Sequence, residues 1–109
     1  MPVTLAFVGY ADDPDRAHAY EDAVLPLLAG HGARVVYRGR RTSGQDPALP
    51  VEVHVLWFPG RDALDAFLAD PRRAGLRAEH GEVFTRTEVV EVEPEPGPGT
   101  PAVGVRMPA

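Results

Sequence analysis

The chain contains no cysteine, no lysine, no asparagine and no isoleucine, and only one serine. Without cysteine there are no disulfides, thiolate nucleophiles or iron–sulfur ligands. Without lysine there is no Schiff base with a carbonyl substrate or PLP, and no Walker-type phosphate lysine. The lone Ser43 lies in the polar loop between Arg40 and Pro50, outside any GxSxG context, which excludes a serine hydrolase. The glycines fall at turns and not in a strand-to-helix GxGxxG, so no flavin or nicotinamide site is expected. The histidines at 18, 31, 54 and 80 show neither HxxxH nor HxH spacing, so no metal site is expected. Lys, Asn and Ile have AT-rich codons. Their absence beside abundant Ala, Arg, Gly, Pro and Val reads as the coding bias of a high-GC bacterium. Histidine, carboxylate and tyrosine are what remain for proton chemistry.

Charge and length narrow the field further. At 109 residues the chain is long enough for one core and too short for two. A net charge of -5 argues against nucleic acid or an anionic membrane as partner. No apolar run approaches the ~20 residues of a membrane span. The N-terminus does not read as a charged-then-apolar signal region, and a cytoplasmic location is the expectation.

What is present is one pattern laid down twice. A β-like run over Val3–Tyr10 leads to a helical run over Asp15–Gly30 and a β-like run over Ala33–Arg41. After a polar loop the order repeats with Val51–Phe58, a helical region from Gly60 to Glu79, and Val83–Glu93. This βαββαβ order is the split-βαβ signature of a ferredoxin-like α+β fold with a four-stranded antiparallel sheet. The domain is expected over residues 1–93. Residues 94–109, rich in Pro and Gly, are expected to form a tail without regular structure, dispensable for folding.

The helices carry legible caps and stops. Ala11 through Asp15 is an acidic turn suited to a helix N-terminus, and Ala17, Tyr20, Val24, Leu27 and Leu28 form the apolar stripe behind it. Pro26 inside that stripe is expected to kink the helix. Asp70-Pro71 reads as an N-cap followed by proline at the first helical position, dividing the second helical region in two. In the strands, Val3, Leu5 and Phe7 alternate with Thr4, Ala6 and Val8, and Val53, Val55 and Trp57 alternate with His54, Leu56 and Phe58. Both faces are apolar enough to be buried. One helical layer covers one face only, so a second copy is expected over Val53, Val55 and Trp57, making a homodimer.

Two stretches resemble a known family. AYEDAVLPLLAGHGARVVYRG (Ala19–Gly39) is similar to the first half of DUF1330-type proteins, and LWFPGRDALDAF (Leu56–Phe67) to their second strand–helix junction. The resemblance covers roughly residues 3–93 and places the chain in the dimeric α/β-barrel superfamily, with antibiotic-biosynthesis monooxygenases, small polyketide cyclases and muconolactone isomerases. It implies a ligand cavity between the sheet and its own helices. The implied activity is that of a small-molecule biosynthetic enzyme: a cofactor-independent cyclase, isomerase or monooxygenase on a polyketide-like or conjugated substrate. A non-catalytic dimeric binding or accessory protein is the alternative, because this superfold carries many activities. Phe58 and Phe67 stand where the monooxygenases carry Trp and His. Phe67 and Asp70-Pro71-Arg72-Arg73 stand where the cyclase-like stress-responsive barrels carry Tyr and His-Pro-x-His.

His54 is the leading catalytic candidate, a polar residue in mid-strand on the face the resemblance turns toward the cavity. A neutral imidazole there serves as a general base. The bland reading is a core histidine with a satisfied partner. Glu52, on the same face, either orients the His54 ring or is the exposed start of the strand, and its edge position favours exposure. Arg86 and Arg38 could hold a carboxylate or enolate, with a cross-strand ion pair the commoner outcome. Tyr20 belongs to the core stripe, where packing is the usual role, although its hydroxyl could reach a ligand. His80 ends the last helix near a cavity mouth. His18 lies about 100–130° around the helix from the stripe, at 100° per residue, and is expected to be solvated. His31 reads as a favourable helix-terminal residue. Phe7, Phe58 and Phe67 are expected to line the substrate site. No cofactor and no metal are expected.

Overall fold

The structure, a computed structural model, describes residues 1–94. The tail expected from residue 94 onward lies, beyond its first residue, outside the described residues. Strand β1 (Val3–Tyr10) is followed by helix α1 (Pro14–Val24), a 3-10 segment (Leu25–His31) and strand β2 (Arg34–Arg40). The second half runs β3 (Glu52–Phe58), α2 (Arg61–Leu68), α3 (Pro71–His80) and β4 (Arg86–Val92). The strands form one sheet in the order β2-β3-β1-β4, with every neighbouring pair antiparallel. This is the ferredoxin-like α+β fold. None of the helices is long and apolar enough to cross a membrane among the described residues.

Local chemistry sets the element ends. Asp13 caps α1 by accepting from the Arg16 backbone N–H at 3.3 Å, and Pro14 stands inside the first turn. Pro26 does more than kink the helix. Its missing N–H and ring clash end the α-helix at Val24, and the chain continues in 3-10 geometry. Gly32, at φ 69°, closes that segment in the left-handed region. Asp70 caps α3 through the Arg72 N–H at 2.9 Å. Strand β4 begins three residues later than its hydrophobicity indicates, at Arg86, because Val83 turns into the core.

Register decides which side chains face the helices. Val3 lies opposite Phe58, Leu5 opposite Leu56, Phe7 opposite His54 and Gly9 opposite Glu52, all on the helix-covered face. Along β3 burial alternates strictly, with Glu52, His54, Leu56 and Phe58 buried and Val53, Val55 and Trp57 half-buried. Phe58, Leu28 and Val51 are the largest of the fully buried apolar side chains among the described residues.

The expectation of two covered faces is met on one side only within this chain. The other face carries Ala6, Val8, Val53, Val55 and Trp57, and toward its edges Tyr37 and Val90 are 57 % and 58 % exposed. None of the described residues covers that face.

Candidate functional site

Between the inner face of the sheet and the helices lies a cavity of about 390 Å³. Leu5, Phe7, Leu56 and Phe58 form its floor, and Val24, Leu64 and Phe67 its helical walls. Polar residues line it at His54 on the floor, Tyr20 and Glu21 from α1, Arg73 and Arg77 from α3, and Glu82 and Thr85–Thr87 in the chain after α3. That ratio of apolar wall to convergent polar groups is typical of a small-molecule site.

Behind His54 is a buried carboxylate. Glu52 is 0 % exposed and accepts four hydrogen bonds. Its Oε1 takes His54 Nε2 at 2.7 Å and Arg38 Nε at 3.0 Å. Its Oε2 takes His18 Nδ1 at 2.5 Å and Arg38 Nη2 at 2.8 Å. Four bonds match the four lone-pair sites of an ionised carboxylate. Burial pushes the Glu52 carboxyl up, but the hydrogen bonds from His54, Arg38 and His18 outweigh it and hold the pKa at about 2. Arg38 is bound in turn to Asp22 Oδ1 at 2.7 Å, and its hydrogen bond to Glu52 chiefly keeps its own pKa raised.

This arrangement assigns protons. An ionised Glu52 only accepts, so His54 must carry its proton on Nε2 and His18 on Nδ1. Neutral His54 then has its lone pair on Nδ1, which makes no hydrogen bond among the described residues. The ring is held a second way, stacked on Phe7 with centroids 4.9 Å apart and planes 16° apart. A histidine with one nitrogen tied to a carboxylate and the other free beside an apolar cavity is an oriented base.

Glu21 is a second carboxyl in the same cavity with the opposite environment. It is buried, lines the cavity, and makes no side-chain hydrogen bond among the described residues. Burial pushes its pKa up from 4.5 to about 7, with the Glu52 carboxylate adding to the rise and the Arg38 and Arg73 guanidinium groups opposing it. Near neutral pH it is therefore partly protonated, able to donate a hydrogen bond to a ligand oxygen. Two carboxyls with pKa values driven apart mark separate acid and base roles.

The other candidates distribute unevenly. Phe7, Phe58 and Phe67 line the cavity, and the Phe58 and Phe67 rings are 5.8 Å apart. Tyr20 lines it too, with His80 edge-on to its ring at 5.7 Å, beside the cavity. Burial raises the Tyr20 pKa, so it stays a phenol. Arg38 and Glu52 stand behind His54 and do not line the cavity. Three expectations need correction. Glu52 is not an exposed strand start, because α1 lies over this end of β3. His18 is not solvated but bonded to Glu52, its side chain 15 % exposed. Arg86 lies with Val90 on the uncovered face of the sheet. Residues 85–87 border the cavity, while the Arg86 guanidinium stacks 4.2 Å over the Tyr10 ring, 3.6 Å from Glu88.

Glu21 and Arg73 escaped the sequence reading. Glu21 carried a signal, lying four residues after Ala17 and three before Val24, within the buried stripe of α1. Arg73 carried none. His31 is also more than a helix-terminal residue: its Nε2 is 2.8 Å from Asp70 Oδ2, tying the 3-10 segment to the cap of α3. Among the described residues no cluster of His, Asp or Glu is arranged to hold a metal ion.

Two stability measurements follow from the paired carboxyls. The folded pKa of Glu52 is depressed, so its contribution is present above its ordinary 4.5 and lost as pH falls toward about 2. Glu52→Gln is expected to cost roughly 3–5 kcal/mol at pH 7, by urea denaturation, since it strands buried donors. The deficit should shrink below pH 4.5. Glu21 has the opposite sign: its raised pKa favours the fold below 4.5, and that benefit is lost as pH rises through about 7. Glu21→Gln should therefore gain on the wild type between those limits and level off above them, by an amount on the order of 3 kcal/mol.

Known proteins share this fold at low identity. A dimeric ferredoxin-like protein of unknown function from Thermobifida fusca is 17% identical, covering 84% of this chain and 90% of its own, with a TM-score of 0.63. SnoaB, a cofactor-independent oxygenase from Streptomyces nogalater, is 14% identical, covering 86% and 93%, with a TM-score of 0.64. A Mycobacterium tuberculosis protein is 22% identical, covering 87% and 96%, with a TM-score of 0.62. No curated protein matches the chain. The profile of DUF1330, a domain of unknown function, matches residues 6–93, and the chain belongs to that family.

Proposed function

We propose that this protein is a cofactor-independent enzyme of the cytoplasm that abstracts a proton from a small conjugated or polyketide-like carbonyl compound. Isomerisation or cyclisation would follow, and oxygenation where dioxygen reacts with the carbanion. The observation that carries this reading is His54, its Nε2 fixed on buried Glu52 and its Nδ1 unpartnered beside an apolar cavity. SnoaB, of the same fold, is described as a cofactor-independent oxygenase, which supports the reading by analogy.

The proton balance closes on residues of this chain. The substrate's acidic C–H gives its proton to His54 Nδ1, and the electron pair moves into the adjacent carbonyl to form an enolate. The imidazolium is stabilised by the Glu52 carboxylate, whose charge is already in place. Protonated Glu21 donates a hydrogen bond to the enolate oxygen. Return of the proton from His54 to a different carbon completes an isomerisation and restores the resting state.

The working form is a homodimer through the uncovered sheet face. Ala6, Val8, Val53, Val55 and Trp57 offer the kind of apolar surface that a stable interface of about 1,600 Å² buries. The dimeric Thermobifida protein of the same fold supports this. Sedimentation at micromolar concentration should show a dimer, and Val55→Asp should shift it to monomer. A wild-type monomer would refute the interface.

Deuterium exchange at the α-carbon of 2-tetralone in D₂O, followed by proton NMR, tests the base. Wild type should accelerate it, and His54→Asn should lose ~10²–10⁴ of the acceleration. His31→Asn, whose ring contacts only the α3 cap and Phe67, should match wild type. The rate should fall as pH rises through about 7, as Glu21 loses its proton. Equal exchange by His54→Asn would sink the proposal, and a wild type that binds the ketone without exchanging it would favour a binding protein.

A further inference from the structure

Arg73 is the third residue of α3, and its guanidinium lies 5.0 Å over the Phe67 ring on the cavity wall. Among the described residues only one of its guanidinium nitrogens has an acceptor: Nη1 donates to the Leu68 carbonyl at 3.1 Å. Its Nε is buried without an acceptor and is too enclosed for a ligand to reach, which leaves Nη2 as the free donor.

Most other arginines are balanced: Arg38 by Glu52 and Asp22, Arg72 by Asp70, Arg61 by Glu91, Arg86 by Glu88, and Arg77 by Glu82 at 3.4 Å. Arg16, Arg34 and Arg41 also make no ion pair among the described residues, but they lie outside the cavity. Arg73 makes no ion pair with any carboxylate of the described residues. Two carboxyls share the cavity with it: Glu82, paired with Arg77, and Glu21, which burial keeps partly protonated near neutral pH. The surrounding wall is aromatic and aliphatic, built from Phe58, Phe67, Leu64 and Val24. A guanidinium stacked on an aromatic wall, with no ion-pair partner among the described residues, can take a planar carboxylate end-on through its Nη1 and Nη2 donors.

We infer that Arg73 forms an anion subsite of the cavity and that the natural ligand is a ring-containing organic carboxylate, its acid group on Arg73 and its ring against Phe67. This rests on the proposed function for the cavity's role and names the substrate class. The two ends of the site then divide the work. Arg73 holds the acid group, while His54 and Glu21 act on the carbonyl-bearing part of the same molecule. No covalent step is added.

The test uses 2-naphthoate and 2-naphthamide, which match in shape and differ in charge. Each is titrated into the ¹⁵N-labelled full chain and followed by the amide shifts of cavity residues. Wild type should bind the naphthoate at least ~10-fold more tightly than the amide, the size of one unscreened charge contact. Arg73→Gln should bring the naphthoate down to the affinity of the amide and leave the amide unchanged. Arg73→Lys, which keeps the charge and loses the fork, should retain part of the preference and guards against a folding defect. Arg61→Gln should keep all of it, because Arg61 lies outside the cavity, paired with Glu91. Equal affinities in wild type, binding of neither compound, or a preference that survives Arg73→Gln would each overturn the subsite. The 2-tetralone exchange separates the two readings. A wild type that prefers naphthoate but exchanges no ketone loses the base and keeps the subsite, and the reverse pattern loses the subsite alone.

Discussion

A carboxylate with no access to water has to be surrounded by donors, and Glu52 organises this end of the molecule on that requirement. Three elements supply them: α1 through His18, β2 through Arg38, and β3 itself through His54. Each of those side chains is oriented by the same acceptor, so the base inherits its geometry from an ion that never touches the cavity. Such a cluster is costly to assemble and costlier to break, because removing any member strands the others in low dielectric. It does not recommend itself as a device for stability. It does fix one tautomer of His54 and one direction for its lone pair.

The charge environment of the cavity follows from how the acids are treated. Glu52 is surrounded by donors and stays ionised, while Glu21, one helical turn along from Ala17 and among apolar neighbours, receives none. Identical functional groups near the same imidazole thus differ near neutral pH, Glu52 fully ionised and Glu21 partly protonated. Phe7 covers the flat face of His54 beside both carboxyls. The apolar floor of Leu5, Leu56 and Phe58 lets partial charges act at short range without screening.

The sheet also explains why a small domain carries a cavity at all. Its helices leave the strands near α3, an amphipathic helix with no fully buried residue, so the wall there is thin and partly polar. The Val83–Thr85 stretch completes the wall before β4 begins, with Phe84 edge-on to both Phe7 and Tyr20. Gly9 permits this approach, since a Cβ there would lie 2.6 Å from the Phe84 ring. The opposite face has no such elaboration and presents β-branched and aromatic side chains in rows.

The βαββαβ order, the strand cores and the Asp70-Pro71 break were legible from residue periodicity and turn chemistry. These are local properties: alternation, capping and proline sterics act within a few residues and need no partner far along the chain. Alternation put His54 on one face with Glu52, Leu56 and Phe58, but both faces of β3 are apolar, and the family resemblance was what turned that face toward the helices. The polar cluster was not legible, because His18 and Glu52 are 34 positions apart and Arg38 approaches from a third element. On its own helix His18 looks solvated, and at the start of its strand Glu52 looks exposed. Only the packing of α1 over the end of β3 buries both, and only that burial separates the two carboxyls into acid and base. Sequence periodicity determined which residues share a face; the tertiary structure decided which charges meet, because desolvation and hydrogen bonding depend on neighbours that the chain brings together only when folded.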